Sequence, residues 1–140
     1  MSRPGTIVLV DDDLDDEEMI RDVLRELAIP NPLLHFDDPN NALQYLKETT
    51  EKPFLILSDV NMPGQDGIAF KRKIDADPVL RSKSIPFIFF STAANKEAID
   101  TAYKELTVQG FFQKSTSYEE LLFLVKLVVD YWSHCHHPHM

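Results

Sequence analysis

The chain has a single cysteine, Cys135, in 140 residues, so no intrachain disulfide can hold the fold together. It also lacks any apolar run approaching the ~20 residues that a membrane-spanning helix needs. The opening stretch MSRPGTIVLV has a short apolar run that ends in aspartates and shows no cleavage-site pattern, so no leader is expected and the cytoplasm is the simplest compartment. Positive charge is scarce: 14 Lys and Arg against 23 Asp and Glu give a net charge of −9. That balance argues against nucleic acid, because phosphate binding needs clustered cations. The short runs KRK (Lys71–Lys73) and RSK (Arg81–Lys83) read instead as a solvated helix face and a loop. No linker, low-complexity tract or repeat interrupts the chain.

What is present is a regular alternation. Continuous apolar runs, TIVLV (Thr6–Val10), PFLILSD (Pro53–Asp59) and IPFIFFS (Ile85–Ser91), have the character of strands buried on both faces. PLLHF (Pro32–Phe36) and GFFQK (Gly110–Lys114) are weaker strands, the first placed near an edge by Pro32 and His35. Between them lie amphipathic segments. EEMIRDVLRELA has Ile20, Leu24 and Leu27 at helical spacing, and DDPNNALQYLKE starts with Asp38 as N-cap and Pro39 at the first helical position. GIAFKRKIDA, NKEAIDTAYKEL and SYEELLFLVKLVVDYW complete five β–α units. Strict alternation with short joints predicts an α/β domain, a doubly wound five-stranded parallel sheet with helices on both faces. Residues 1–133 are expected to form this domain. Residues 134–140, which hold four of the five histidines, read as an unstructured His-rich tail or an incidental metal site.

In such a sheet ligands bind beyond the carboxyl ends of the strands. Those ends carry Asp11, Asp12 and Asp13, then Ser58 and Asp59, then Ser91 and Thr92, then Lys114. Carboxylates gathered at one buried edge cannot all stay ionised without a cation, and hard oxygen donors of this kind suit Mg²⁺. Mg²⁺, an ammonium and a hydroxyl are also the groups that neutralise a transferring phosphoryl group, and a carboxylate can be its acceptor.

LVDDD, LILSDVNMPGQDG, FFSTAANKEAI and GFFQK together resemble the motif set of response-regulator receiver domains, over about Thr6 to Trp132. The resemblance implies a flavodoxin-like (β/α)5 fold of the chemotaxis-receiver type, with strand order 2-1-3-4-5. It implies that Asp59 is the phosphoacceptor, Asp12 the main Mg²⁺ ligand, Asp11 the holder of metal-bound water, and that Asp59 and the Asn61 carbonyl complete the metal site. It implies that Lys114 pairs with the acceptor, that Ser91 is the switch hydroxyl and that Phe111 stands at the switch aromatic. Thr92, next to Ser91, falls on the opposite strand face. The glycines of MPGQDG (Met62–Gly67) are expected to permit turns with positive φ.

Two positions depart from the family pattern. Ser115 stands where a proline usually follows the lysine, which leaves open whether the Lys114–Ser115 bond is cis. Phe111 replaces a more usual tyrosine or histidine, and a plain core phenylalanine is the competing reading. Ala93 is too small to shield the acceptor from water, so an acyl phosphate lifetime of minutes is expected.

The acidic run itself divides in this reading. Asp11 and Asp12 belong to the site, Asp13 orders the turn, and Asp15 to Glu18 form the solvated first turn of a helix, favoured by its dipole. Asp16→Ala is accordingly expected to matter little. A calcium loop counted from Asp11 fails, because Asp16 stands where its glycine should be and Asp22 where its glutamate should be.

The resemblance makes the chain a signalling domain rather than a conventional enzyme, phosphorylated by a sensor histidine kinase or histidine phosphotransfer protein and acting on a downstream protein target. No output domain is expected in the eight residues after Trp132. The competing readings are a pseudo-receiver that takes no phosphate and a Mg²⁺-dependent aspartyl-phosphate phosphohydrolase. Against the hydrolase, the position two past the acceptor is Asn61 rather than a second aspartate.

Overall fold

The computed structural model describes residues 5–62, 66–91, 96–114 and 117–135. Along the chain these residues form β1 (Ile7–Val10), α1 (Leu14–Glu26), β2 (Leu33–Phe36), α2 (Pro39–Glu48), β3 (Leu55–Ser58) and α3 (Gly67–Ala76). There follow α4 (Pro78–Lys83), β4 (Phe87–Ser91), α5 (Lys96–Glu105), β5 (Gly110–Gln113) and α6 (Tyr118–His134). The strands form one parallel sheet in the order β2-β1-β3-β4-β5, as the resemblance implies.

Strand parity explains the two layers. Ile7, Leu9, Leu55, Leu57, Ile88 and Phe90 face one side of the sheet and pack on Ile20, Val23 and Leu24 of α1 and Leu121, Val125 and Val129 of α6. Val8, Val10, Ile56, Phe87 and Phe89 face the other side. There they meet Ala42 and Leu46 of α2, Phe70 and Ile74 of α3, Leu80 of α4 and Ala102 of α5. The continuous apolar runs are thus the strands covered on both faces, while β2 and β5, half-buried, form the edges.

Helix starts follow local chemistry. Asp13, Asp38, Asp66, Asp77 and Ser117 each accept a backbone N–H at the N-terminus of α1, α2, α3, α4 and α6. The short helix α4 is an addition to the five expected units. Its signal was in the sequence, since Asp77–Pro78 repeats the Asp38–Pro39 start.

The basic runs are only in part the solvated face and loop expected of them, because Lys71 and Lys83 turn inward. Lys71 is only 3% exposed, with its ammonium 2.8 Å from Asp75 and 5.0 Å from the centre of the Phe87 ring. Thr107 holds the same carboxylate through its hydroxyl at 2.6 Å and its N–H at 3.0 Å. Lys83 donates to the carbonyls of Leu46 and Thr49, at 2.9 and 3.2 Å, and so caps the end of α2. Arg72, Lys73 and Arg81 stay exposed, Arg72 pairing with Glu105 at 3.0 Å. Helix α6 runs on through His134, and residues 136–140 of the His-rich tail lie outside the described residues.

Candidate functional site

The carboxyl ends of β1, β3, β4 and β5 converge, and each contributes a polar group. Asp11 leaves β1 with its backbone tied to the neighbouring strand. Its N–H donates to the Phe36 carbonyl at 3.0 Å, and its own carbonyl accepts from the His35 ring nitrogen Nε2 at 2.6 Å. A carbonyl only accepts, so Nε2 carries the proton. The other ring nitrogen lies 3.3 Å from Glu17 of α1. The Asp11 carboxylate is 1% exposed; one oxygen takes the Asp13 N–H at 2.9 Å and the other takes Lys114 at 2.6 Å. Burial pushes the Asp11 carboxyl up to about 6, against the pull of the Lys114 and Asp13 hydrogen bonds.

Asp59 follows β3, its N–H donating to Val10 at 2.9 Å. One carboxylate oxygen accepts from the Asn61 N–H at 3.2 Å, the other from Lys114 at 3.2 Å. Its carbonyl accepts from the Ser58 hydroxyl at 3.0 Å. Ser91, fully buried at the end of β4, accepts the Lys114 N–H on its carbonyl at 2.9 Å, and its hydroxyl lies 3.5 Å from the Asn61 side-chain amide. Phe111 sits lower on β5, half-buried, its ring 5.5 Å from that of Phe89, its partner in strand register.

Lys114 is the hub. Its side chain is 5% exposed, and its ammonium reaches Asp11 at 2.6 Å, Asp16 at 2.5 Å and Asp59 at 3.2 Å. Burial alone would favour the neutral amine. The hydrogen bonds to Asp11 and Asp16 and the charges of Asp11 and Asp59 outweigh it and hold the ammonium above its ordinary range.

Asp11, Asp12, Asp59, Asn61, Ser91 and Lys114 therefore gather as the sequence suggested. Asp16 corrects it: this side chain is not part of a solvated helix turn but a direct partner of the buried lysine. Nothing local in the sequence marked it: Asp16 lies in the first turn of α1, and its partner is 98 residues away. His35, a mark of the sheet edge in the sequence, is bonded to the site's backbone. Asp22 lies well inside α1, which removes the calcium-loop geometry. Gly67 is also corrected. Its φ is not positive; it opens α3, and a Cβ there would lie 2.0 Å from the Asp59 carbonyl oxygen. Gly64, Thr92, Ala93 and Ser115, with the Lys114–Ser115 bond, lie outside the described residues.

Asp11, Asp12 and Asp59 each offer a carboxylate oxygen, and the three oxygens lie within 4.8 Å of one another. Asp12 is exposed, so a cation can be reached from solvent. The Asp11 and Asp59 oxygens each already hold a backbone N–H and the Lys114 ammonium, more tightly at Asp11, which leaves Asp12 the freest donor. An all-oxygen set with few carboxylates fits a hard divalent cation.

Fold, strand order and site geometry together define a receiver. The chain belongs to the response regulator receiver domain family, whose family model matches residues 7–126. It is 30% identical over 134 residues to the response regulator Rcp1 of Synechocystis sp., covering 92% of this chain and 89% of that protein. Among solved structures it is similar to the phosphorylated cyanobacterial phytochrome response regulator RcpA, with a TM-score of 0.86 and 30% identity over 97% of this chain and 99% of that one. The Mn²⁺-bound form of Rcp1 superposes with a TM-score of 0.83 and 28% identity, over 96% of this chain and 99% of that one. Other curated relatives are longer; the chain spans 29% of the first of them. Among the described residues no helix is long and apolar enough to cross a membrane.

Proposed function

We propose that this receiver accepts a phosphoryl group on Asp59 from a histidine kinase or a histidine phosphotransfer protein, and that the change alters its binding to a downstream protein. The observation that carries this reading is the buried Lys114 ammonium, 3.2 Å from the Asp59 carboxylate at an edge where Asp11 and Asp12 also converge. In the transfer, an Asp59 oxygen bonds to phosphorus as the phosphorus–nitrogen bond of the donor's phosphohistidine breaks. The electron pair leaves on the imidazole nitrogen, which takes up a proton.

Asp12 and Asp59, with the Asn61 carbonyl and with Asp11 through water, would hold Mg²⁺. Bound there, Mg²⁺ supplies positive charge to the transferring oxygens. Lys114 supplies the second positive charge at the acceptor, already desolvated and so effective on charge that develops in the transition state. Asp59 is held in place by its N–H to Val10 and by the Asn61 N–H on its carboxylate, so little reorganisation is needed at transfer. Once phosphorylated, Asp59 carries added charge and acceptor oxygens at the end of β3, next to the Ser91 hydroxyl at the end of β4. Ser91 is the group to answer it, with Phe111 on the adjacent strand as the side chain that follows. The activity is that of a signalling domain that phosphorylates itself from a donor, not of an enzyme turning over a free substrate.

The test is to incubate the chain with Mg²⁺ and a small phosphodonor such as acetyl phosphate, or with beryllofluoride. One stoichiometric adduct on Asp59, lost in Asp59→Asn, is expected. No adduct would favour a protein-interaction module that takes no phosphate. Repeated turnover of ordinary phosphomonoesters would favour a phosphohydrolase.

A further inference from the structure

Asp16 and Lys114 lie 98 residues apart in the chain, and their charged groups lie 2.5 Å apart in the fold. An ammonium has three N–H donors, and here three carboxylates surround it, one for each. The two shorter bonds go to Asp11 and Asp16, the longer to Asp59. Lysine carries its charge on a flexible four-carbon stem, so fixing the direction of one donor requires that the other two be held. Asp11 holds one from β1, and Asp16 holds the other from the first turn of α1. Asp16 stands outside the group of carboxylates that converge as a metal site, and its side chain is 25% exposed against 5% for Lys114. It closes over the lysine from the solvent side. A surface ion pair of this residue type would contribute little, but here one partner is buried and faces the acceptor.

We propose that Asp16 is a positioning residue of the phosphoacceptor site: with Asp11 it fixes two donors of Lys114 so that the third points at Asp59 and, after transfer, at the phosphoryl oxygen. The proposal rests on the phosphoacceptor reading given above. Asp16→Ala frees one donor and lets the ammonium swing. Asp16→Asn keeps an amide oxygen in the same place.

The experiment measures the rate of phosphorylation of the full chain by acetyl phosphate at saturating donor, as a function of Mg²⁺. Asp16→Ala should lower the maximal rate about tenfold, as expected for a misaligned group, and Asp16→Asn should stay within about threefold of the native rate. The Mg²⁺ concentration giving half the maximal rate should change by less than about twofold in both. In the metal-free protein, the ammonium signal of Lys114 in a nitrogen-15 spectrum should be protected from exchange, and lost in Asp16→Ala. Should Asp16→Ala fold poorly, Asp16→Ser carries the same test. A native rate in the folded Ala or Ser variant, or a loss expressed in the Mg²⁺ requirement rather than in the rate, would overturn the proposal. A native chain that takes no phosphoryl group would overturn the phosphoacceptor reading itself, whereas native labelling with an indifferent Asp16→Ala would overturn only the role of Asp16.

Discussion

Gly67 and Asp59 touch through their backbones. The Gly67 N–H donates to the Val60 carbonyl at 2.8 Å, and a Cβ on Gly67 would sit 2.0 Å from the Asp59 carbonyl oxygen and 3.0 Å from the Phe89 ring. The start of α3 is thereby packed directly on the acceptor's own peptide. Gly67→Ala must displace either the helix or the acceptor, and neither backbone yields cheaply. The expected outcome is a loss of about 2 kcal/mol or more, seen as a lower urea midpoint, together with slower labelling of Asp59. Gly110→Ala is the control, because its Cβ would meet nothing nearer than the Phe112 ring at 3.5 Å, an ordinary contact. If both variants unfold alike, the close approach at Gly67 is not what sets the difference.

Asp11 makes the metal-free protein sensitive to pH. Its folded pKa, about 6, lies above the ordinary 3.8, so the folded state takes up this proton more readily than the unfolded chain. The stability from this group is full below about 3.8 and is lost as pH rises through about 6. In chelator, Asp11→Asn should therefore raise the thermal midpoint at pH 7.5, by an amount corresponding to about 1–3 kcal/mol, and flatten the decline between pH 4 and 7. An unchanged slope would mean that another group dominates the profile.

Asp12 is exposed and has few structural duties, yet it is the carboxylate most free to take a cation. Asp12→Ala should leave the unfolding midpoint within about 0.5 kcal/mol of native while abolishing Mg²⁺-dependent phosphorylation. Asp15→Ala, an equally exposed acid in the next turn, should leave the labelling rate unchanged. Titration of Mn²⁺ followed by water relaxation would separate the two variants directly.

The Lys71–Asp75 pair sits at the opposite end of the sheet, against the first residue of β4. Asp75→Ala would strand the buried Lys71 ammonium, at a cost of about 3–5 kcal/mol. Lys71→Met removes the charge while keeping most of the volume and leaves Asp75 with its Thr107 bonds, so its cost should be nearer 1 kcal/mol. Urea denaturation of the two variants reads the difference. Equal losses would show that the ion pair, not the uncompensated charge, carries the energy.

Much of this protein was legible along the chain because the relevant physics is local. Continuous β-branched and apolar runs made the covered strands, Asp–Pro pairs and acidic first turns marked helix starts, and the parallel alternation left polar residues at the strand ends. Asp11, Asp12, Asp59, Ser91 and Lys114 stood among the residues at those ends, and the resemblance to receiver domains singled them out. Even α4 was within reach, through the Asp77–Pro78 start. Tertiary structure decided the rest. Whether Asp16 faces solvent or Lys114 depends on how α1 lies against the end of β5, an angle that sequence periodicity does not encode. The same holds for Lys71, buried because α3 packs over Phe87 with Asp75 beside it, and for Lys83, drawn in by open carbonyls of a helix 34 to 37 residues away. Gly67 looked like a residue for a turn and is one for a close contact. Local sequence sets which backbone state and which cap a segment adopts, but the partner of a charge is chosen by the packing of distant elements.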